Sequence, residues 1–147
     1  MKMTNEIVIA ASAERIFYFA SRTERWPEWL SHYRYVHVLS ERNGERTVEM
    51  AARRGWIPVR WRALQYNDSR TPRIRFRHVA GWTRGMDVEW QFEPREDATL
   101  VRIVHDLTFR FPAVARFLER RIVGDFFIHS IANRTLARFK ELSESHR

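Results

Sequence analysis

His78, His105 and Tyr33 each set a group able to exchange or donate a proton among apolar neighbours of alternating sequence. An imidazole with a pKa near 6.5 both takes and gives protons at neutral pH. A phenol can donate to an oxygen on which charge develops. Together, in a dry pocket, they could exchange protons with a bound molecule or orient its polar end. The other reading of the same residues is structural, since a buried polar group without a partner costs about 1–3 kcal/mol and is usually bonded to a neighbour. Gln65 breaks the apolar face of its own strand in the same way, and Tyr35 shares parity with Tyr33. On the C-terminal helix Asp125, His129 and Asn133 recur at i, i+4 and i+8 along one edge of the apolar stripe.

Large rings supply the remaining candidates. Trp26 and Trp29 flank Pro27. Trp61, Phe76 and Trp90 fall on apolar parities and would form either a core or the wall of a cavity. Trp56 and Trp82 sit beside glycines in loops, where a cavity rim or a partner-facing surface is expected. The expected ligand-binding set therefore comprises Trp26, Trp29, Tyr35, Trp61 and Gln65, then Phe76, Trp82 and Trp90, and finally Phe126 and His129 on the helix. The expected catalytic set is His78, His105 and Tyr33. The six histidines show no metal-ligand spacing and there is no cysteine, so no metal site is expected. No glycine-rich phosphate loop or Gly-x-Ser-x-Gly elbow occurs, and no cofactor is expected.

These residues must be held by strands and helices that the pattern itself predicts. Asn5–Ala11 reads as a first strand. Ser12 is a helix N-cap for Ala13–Ala20, with Glu14 favoured in the first turn. After the polar link Arg22–Arg25, Trp26–Leu30 forms a second short helix with Pro27 near its start. From Tyr33 the period is two: strands at Tyr33–Ser40, Arg46–Ala52, Ile57–Tyr66, Arg73–Val79, Met86–Glu93 and Thr99–Phe111, with an Asn43-Gly44 turn closing the first hairpin. Ile74, Phe76 and His78 face one way and Arg73, Arg75 and Arg77 the other. Pro112–Leu142 is the one stretch long enough to form a second layer. Its apolar stripe runs through Ile128, Ile131, Ala132, Leu136, Phe139 and Leu142, and Gly124 predicts a bend. The predicted fold class is α+β: an antiparallel sheet of about seven strands, two short helices after the first strand, and a long C-terminal helix packed on the apolar face, in a single domain over 1–147.

Composition narrows the function classes. The formal charge is +8, almost all of it arginine. The arginines recur along the chain instead of clustering, and Arg73, Arg75 and Arg77 neighbour the acidic residues Asp87, Glu89 and Glu93 on the outer face, so a nucleic-acid partner is not expected. No segment approaches the roughly 20 apolar residues of a membrane span, and the cysteine-free chain fits a cytoplasmic, reducing setting. Aromatic residues make up 14%, enough ring surface to line an apolar pocket.

The order of elements, with Asn5-Glu6-Ile7-Val8-Ile9-Ala10-Ala11-Ser12-Ala13-Glu14-Arg15-Ile16-Phe17, Trp26-Pro27-Glu28-Trp29 and Leu136-Ala137-Arg138-Phe139-Lys140-Glu141-Leu142, resembles the START-like (SRPBCC) superfamily and its polyketide cyclase/dehydrase and lipid-transport branch. The resemblance implies a helix-grip fold, in which a curved sheet wraps the long helix and leaves an elongated apolar cavity. It implies binding of a small hydrophobic or aromatic ligand such as a polyketide, quinone, isoprenoid or lipid. The alternative it implies is an aromatase/cyclase that closes and dehydrates a poly-β-keto chain. Ring-closing members carry an inward arginine on the strand that matches Ile57–Tyr66, where alternation here places Gln65 inward and Arg60 and Arg62 outward. Two further expectations concern partners: transient membrane contact through the loop of Trp82 and Arg84, and a homodimer through the edge strand Asn5–Ala11.

Overall fold

Sustained alternation from Tyr33 onward folds as one antiparallel sheet. In the computed structural model, which describes residues 2–81, 83–107 and 128–145, seven strands form: β1 (Lys2–Ile9), β2 (Tyr33–Arg42), β3 (Glu45–Arg54), β4 (Ile57–Asp68), β5 (Arg73–Gly81), β6 (Asp87–Arg95) and β7 (Ala98–Asp106). Their spatial order is β1-β7-β6-β5-β4-β3-β2, so the first strand returns beside the last and the others form a meander. The helices α1 (Ala13–Ser21) and α2 (Trp26–Trp29), joined by a 3₁₀ turn at Thr23–Arg25, connect β1 to β2, and α3 (His129–Glu144) follows the sheet. This is the helix-grip arrangement expected from the sequence.

Local chemistry explains most boundaries. Asn43 and Gly44 both take positive φ, 49° and 78°, the pairing that a tight hairpin with right-handed strand twist requires. Ser12 Oγ accepts from the Arg15 amide at 3.2 Å and satisfies a free donor at the start of α1. β1 begins and ends earlier than predicted: it pairs with β7 from Lys2↔Asp106 to Ile9↔Thr99. The Ala11 amide then turns back to the Ile9 carbonyl at 2.9 Å, which bends the chain into the Ser12 cap. The link 22–25 is not a plain loop, since Thr23–Arg25 forms a 3₁₀ turn that runs into α2. The expected continuation of β7 to Phe111, the first half of the long helix, Gly124 and Asp125 lie outside the described residues.

The apolar stripe of α3 lies against the sheet. Phe139 is fully buried, with its ring 5.7 Å from Trp26, 5.8 Å from Trp90 and 6.5 Å from Trp29. Burying a side chain of this kind contributes about 1.5–3 kcal/mol. Polar ties fix the helix in place: Arg138 Nε donates to the Trp29 carbonyl at 2.8 Å and Arg15 Nε to the Ser143 carbonyl at 2.8 Å. Lys140 Nζ donates to the Val8 carbonyl on the edge strand at 3.3 Å. The outer face is laced as the sequence suggested, with Arg73 and Arg75 both on Glu89 at 3.0 and 3.9 Å and Arg62 on Glu49 at 3.1 Å. Glu93 instead meets Arg95 and Arg102. Among the described residues no helix is long and apolar enough to cross a membrane.

Candidate functional site

Between the sheet and α3 lies a cavity of about 90 Å³. Each wall has its own source. Alternation along β5 turns Phe76 and His78 inward, β6 contributes Val88 and Trp90, and β7 contributes Ile103 and His105. Tyr33 enters from the start of β2 and Trp61 from β4, while Ile131, Ala132 and Thr135 of α3 close the opposite side. Trp26, delivered by the short α2, joins both layers: its ring lies 5.1 Å from Tyr33, 6.3 Å from Phe76 and 5.8 Å from Trp90. The volume lies well under the roughly 300–1,000 Å³ of sites that enclose a whole drug-sized ligand. It matches a small ring or one end of a longer molecule.

The polar groups on this wall are uncharged at neutral pH. His78 is stacked flat on Trp61, with ring centres 5.7 Å apart and planes 6° from parallel, and its Nδ1 lies 2.6 Å from Thr83 Oγ1. Burial, and then the neighbouring His105, pulls the His78 pKa down to about 3. Burial, and then His129, pulls His105 down to about 4. Burial raises the Tyr33 phenol above its ordinary value. Each shift favours the neutral form, as desolvation requires. Thr135 Oγ1 donates to the Ile131 carbonyl at 2.8 Å and lies 2.9 Å from His32 Nε2, so His32 carries its proton on Nε2 and donates to Thr135. Two buried atoms on lining residues, Trp26 Nε1 and His105 Nδ1, have no hydrogen-bond partner among the described residues. No described lining residue is Asp, Glu, Lys or Arg. Nor does any group of three or more acidic or histidine side chains converge as metal ligands among the described residues.

The structure brings Tyr33, His78 and His105 together on this wall, with Trp26, Trp61, Phe76 and Trp90 of the expected binding set. Four expected residues lie elsewhere. Tyr35 points outward: a register shift pairs Tyr33 with Ala52 but Tyr35 with Ala51, so one extra residue reverses the parity and buries Val36 instead. Tyr35 stacks on His37 at 4.4 Å and its hydroxyl reaches Glu49 at 3.5 Å on the outer face. Gln65 is fully buried but belongs to a structural knot: Nε2 donates to the Ser21 carbonyl and to Asn67 Oδ1, and Oε1 accepts from Thr23 Oγ1. Trp29 packs between Phe19 and Phe139. His129 is exposed at the head of α3, with Nδ1 2.9 Å from Asn5 Nδ2. Trp82 and Phe126 lie outside the described residues. Trp56 is 87% exposed at the β3–β4 turn and does not line the cavity.

Sequence reasoning missed His32, Thr83, Met50, Met86 and Thr135. Thr135 was within reach, because it falls four residues after Ile131 and four before Phe139 on the stripe already drawn. His32 carries no such signal, since it precedes the strand and its partner is 103 positions away.

The fold recurs in solved structures. The Zhui aromatase/cyclase from Streptomyces sp. matches with a TM-score of 0.82 at 16% identity, over 98% of this chain and 93% of that one. Norcoclaurine synthase from Thalictrum flavum, solved with dopamine and hydroxybenzaldehyde, matches with a TM-score of 0.78 at 14% identity, over 100% and 88%. A START superfamily protein from Mycobacterium smegmatis matches with a TM-score of 0.69 at 17% identity, over 96% and 98%. Likeness at these identities is one of fold. A search of the curated proteins finds no match. The family model described as polyketide cyclase / dehydrase and lipid transport matches residues 9–128. An apolar cavity under a gripped helix, with a family match over most of the chain, leads to one assignment: the chain belongs to the polyketide cyclase/dehydrase and lipid transport family.

Proposed function

We propose that the protein binds a small hydrophobic ligand in the cavity between sheet and α3, and that it does so without catalysis. The observation that carries this reading is the wall itself: rings and aliphatic side chains, with neutral His78, His105, Tyr33 and Thr135 as its polar points. Binding needs an apolar enclosure and a few orienting groups, and these are present. Cyclase chemistry asks for more. A base that abstracts a proton beside a carbonyl works best with a pKa near the working pH, whereas His78 and His105 lie at about 3 and 4. On β4, where the family resemblance implies an inward arginine in most ring-closing members, the inward residue is Gln65, whose hydrogen bonds are taken by Ser21, Thr23 and Asn67.

The partner expectations fit this reading unequally. Contact with an anionic membrane during ligand exchange is expected through the loop of Trp82 and Arg84, of which Trp82 lies outside the described residues; Trp56, 87% exposed in the β3–β4 turn, offers a second point of contact. Pairing of two copies through β1 is disfavoured by Lys140 and Glu144, which bond the Val8 carbonyl and the Ala10 amide at that edge. The ion pairs that lace the outer face argue against a nucleic-acid partner. A cytoplasmic location and a single domain over 1–147 complete the proposal, resting on the cysteine-free composition and the one sheet.

The test is to purify the protein, denature it and identify co-purified small molecules by mass spectrometry. A recurrent quinone, isoprenoid, lipid or aromatic compound, recovered unchanged after incubation with the protein, is the expected result. Conversion of a poly-β-keto substrate that is lost in both His78→Ala and His105→Ala would overturn the non-catalytic reading in favour of the cyclase.

A further inference from the structure

The arginines of the sheet divide into two groups. Those on the outer face are laced to acids: Arg62 to Glu49, Arg73 and Arg75 to Glu89, and Arg102 to Glu6 and Glu93. Arg34, Arg53 and Arg84 are exposed and enter no ion pair among the described residues. All three belong to one end of the sheet. The Arg53 amide donates to the His32 carbonyl at 2.8 Å, which sets Arg53 beside the start of β2 and Arg34. Arg84 lies in the β5–β6 turn, which β5 reaches at Gly81, opposite Trp61 near the start of β4. The runs that carry them hold no acid: none falls between Glu28 and Glu41, between Glu49 and Asp68, or between Asp68 and Asp87.

Trp56 stands at the same end. It is 87% exposed in the β3–β4 turn, where Gly55 at a φ of 61° reverses the chain, and half-buried Ile57 and exposed Pro58 follow it. An indole held in water beside unpaired arginines suits a bilayer surface, its ring toward the acyl chains and its N–H toward the headgroups. Arginine stems can lie along apolar surface while the guanidinium groups meet phosphate or carboxylate oxygens. A nucleic acid is served less well. Single strands are held by several rings on which successive bases stack, whereas Ile57 and Pro58 beside Trp56 offer no π-face.

We propose that this end of the sheet, the Trp56 turn with Arg34, Arg53 and Arg84, docks on the surface of an anionic bilayer. Trp56 enters the headgroup boundary, the arginines meet the lipid anions, and the protein lies on the membrane without crossing it. Val59, three residues after Trp56, and Thr83 and Met86 of the β5–β6 turn also line the cavity. Docking therefore sets part of the cavity wall against a source of apolar ligand. That consequence rests on the reading of the cavity as a binding site; the docking itself does not.

The test sediments the purified full chain with vesicles of phosphatidylcholine alone, and of equal parts phosphatidylcholine and phosphatidylserine. The expected result is binding to the phosphatidylserine vesicles about ten-fold or more tighter than to phosphatidylcholine, weakened by added salt. Trp56→Ala should weaken that binding several-fold. Arg53→Gln with Arg84→Gln should remove most of the preference for phosphatidylserine. Arg42→Gln with Arg70→Gln takes the same charge from exposed positions at the opposite end of the sheet and should leave the preference intact. Equal loss in the two double variants would show that net charge alone attracts the chain, and would overturn the dock. Unchanged binding by Trp56→Ala, failure to bind either vesicle, or capture of single-stranded RNA in preference to both would overturn it as well. Vesicle binding by a chain that takes up no toluene would leave the dock standing and refute the cavity reading.

Discussion

His32, His78 and His105 sit inside the protein with pKa values lowered to about 4, 3 and 4, burial being the largest cause in each. A folded-state value below the unfolded 6.5 means that the unfolded chain binds protons first as pH falls. The stability tied to these groups is therefore complete above pH 6.5 and declines toward pH 4, by up to about 1.4 kcal/mol per pH unit for each histidine. Urea unfolding followed from pH 8 to pH 4 should show a midpoint that holds steady above pH 7 and then drops, with a shallower drop in His105→Gln. A midpoint that stays level from pH 7 to 4.5 would show that these rings are protonated or hydrated in the native state. Gln65 makes a second prediction at this scale. Gln65→Leu leaves Thr23 Oγ1 without its acceptor and Asn67 Oδ1 and the Ser21 carbonyl without the Gln65 donor, and should cost about 1–3 kcal/mol, while the affinity for toluene stays unchanged. Alternation alone showed Gln65 facing inward. Its task was not legible, because Thr23 lies 42 positions away on a segment that reads as a polar link.

At the scale of elements, strand parity is what the sequence conveys best, and a bulge is where it fails. β4 from Trp61 to Gln65, β5 as far as His78, and β6 as far as Phe92 obey alternation, which is why Trp61, Phe76, His78 and Trp90 could be placed on one wall. β2 does not: the shift between Tyr33 and Tyr35 sends the second tyrosine outward, and no residue type in Tyr33-Arg34-Tyr35 announces it. β5 carries another irregularity, where Ala63 pairs with His78 but Arg62 with Ala80. There Gly81 passes so close to β4 that a Cβ would stand 2.7 Å from the Arg60 carbonyl oxygen. Its φ of 104° is likewise one that other residues avoid. Gly81→Ala should therefore lower the thermal midpoint by more than Gly85→Ala, which meets the same kind of backbone strain at φ 92° but whose Cβ meets nothing within 4 Å. Packing density separates two phenylalanines on facing elements. Phe139→Ala empties a site enclosed by three tryptophans and should cost about 3–5 kcal/mol, whereas Phe76→Ala enlarges an existing cavity and should cost clearly less. Equal losses for the two in urea unfolding would mean that the space beside Phe76 is filled.

For the whole molecule, the family and the helix-grip plan were readable from element order, the capped first helix, the Trp-Pro-Glu-Trp turn and the closing amphipathic stripe. Whether the sheet and helix meet fully was not readable, because a ring that fills a core and a ring that lines a hollow have the same parity and hydropathy. Trp26 shows the difficulty: it was placed among ligand-binding candidates with Trp29, yet only Trp26 reaches the cavity, since the one turn of α2 points them to different neighbours. The proposed function requires that this cavity accept an apolar ligand. The most direct measurement is a ¹⁵N–¹H spectrum of the indole N–H groups during titration with toluene. Trp26, Trp61 and Trp90 line the cavity and Trp56 stands exposed at a hairpin tip, so the first three resonances should shift together and saturate while that of Trp56 stays still. Unmoved cavity indoles, or a shift confined to Trp56, would contradict it.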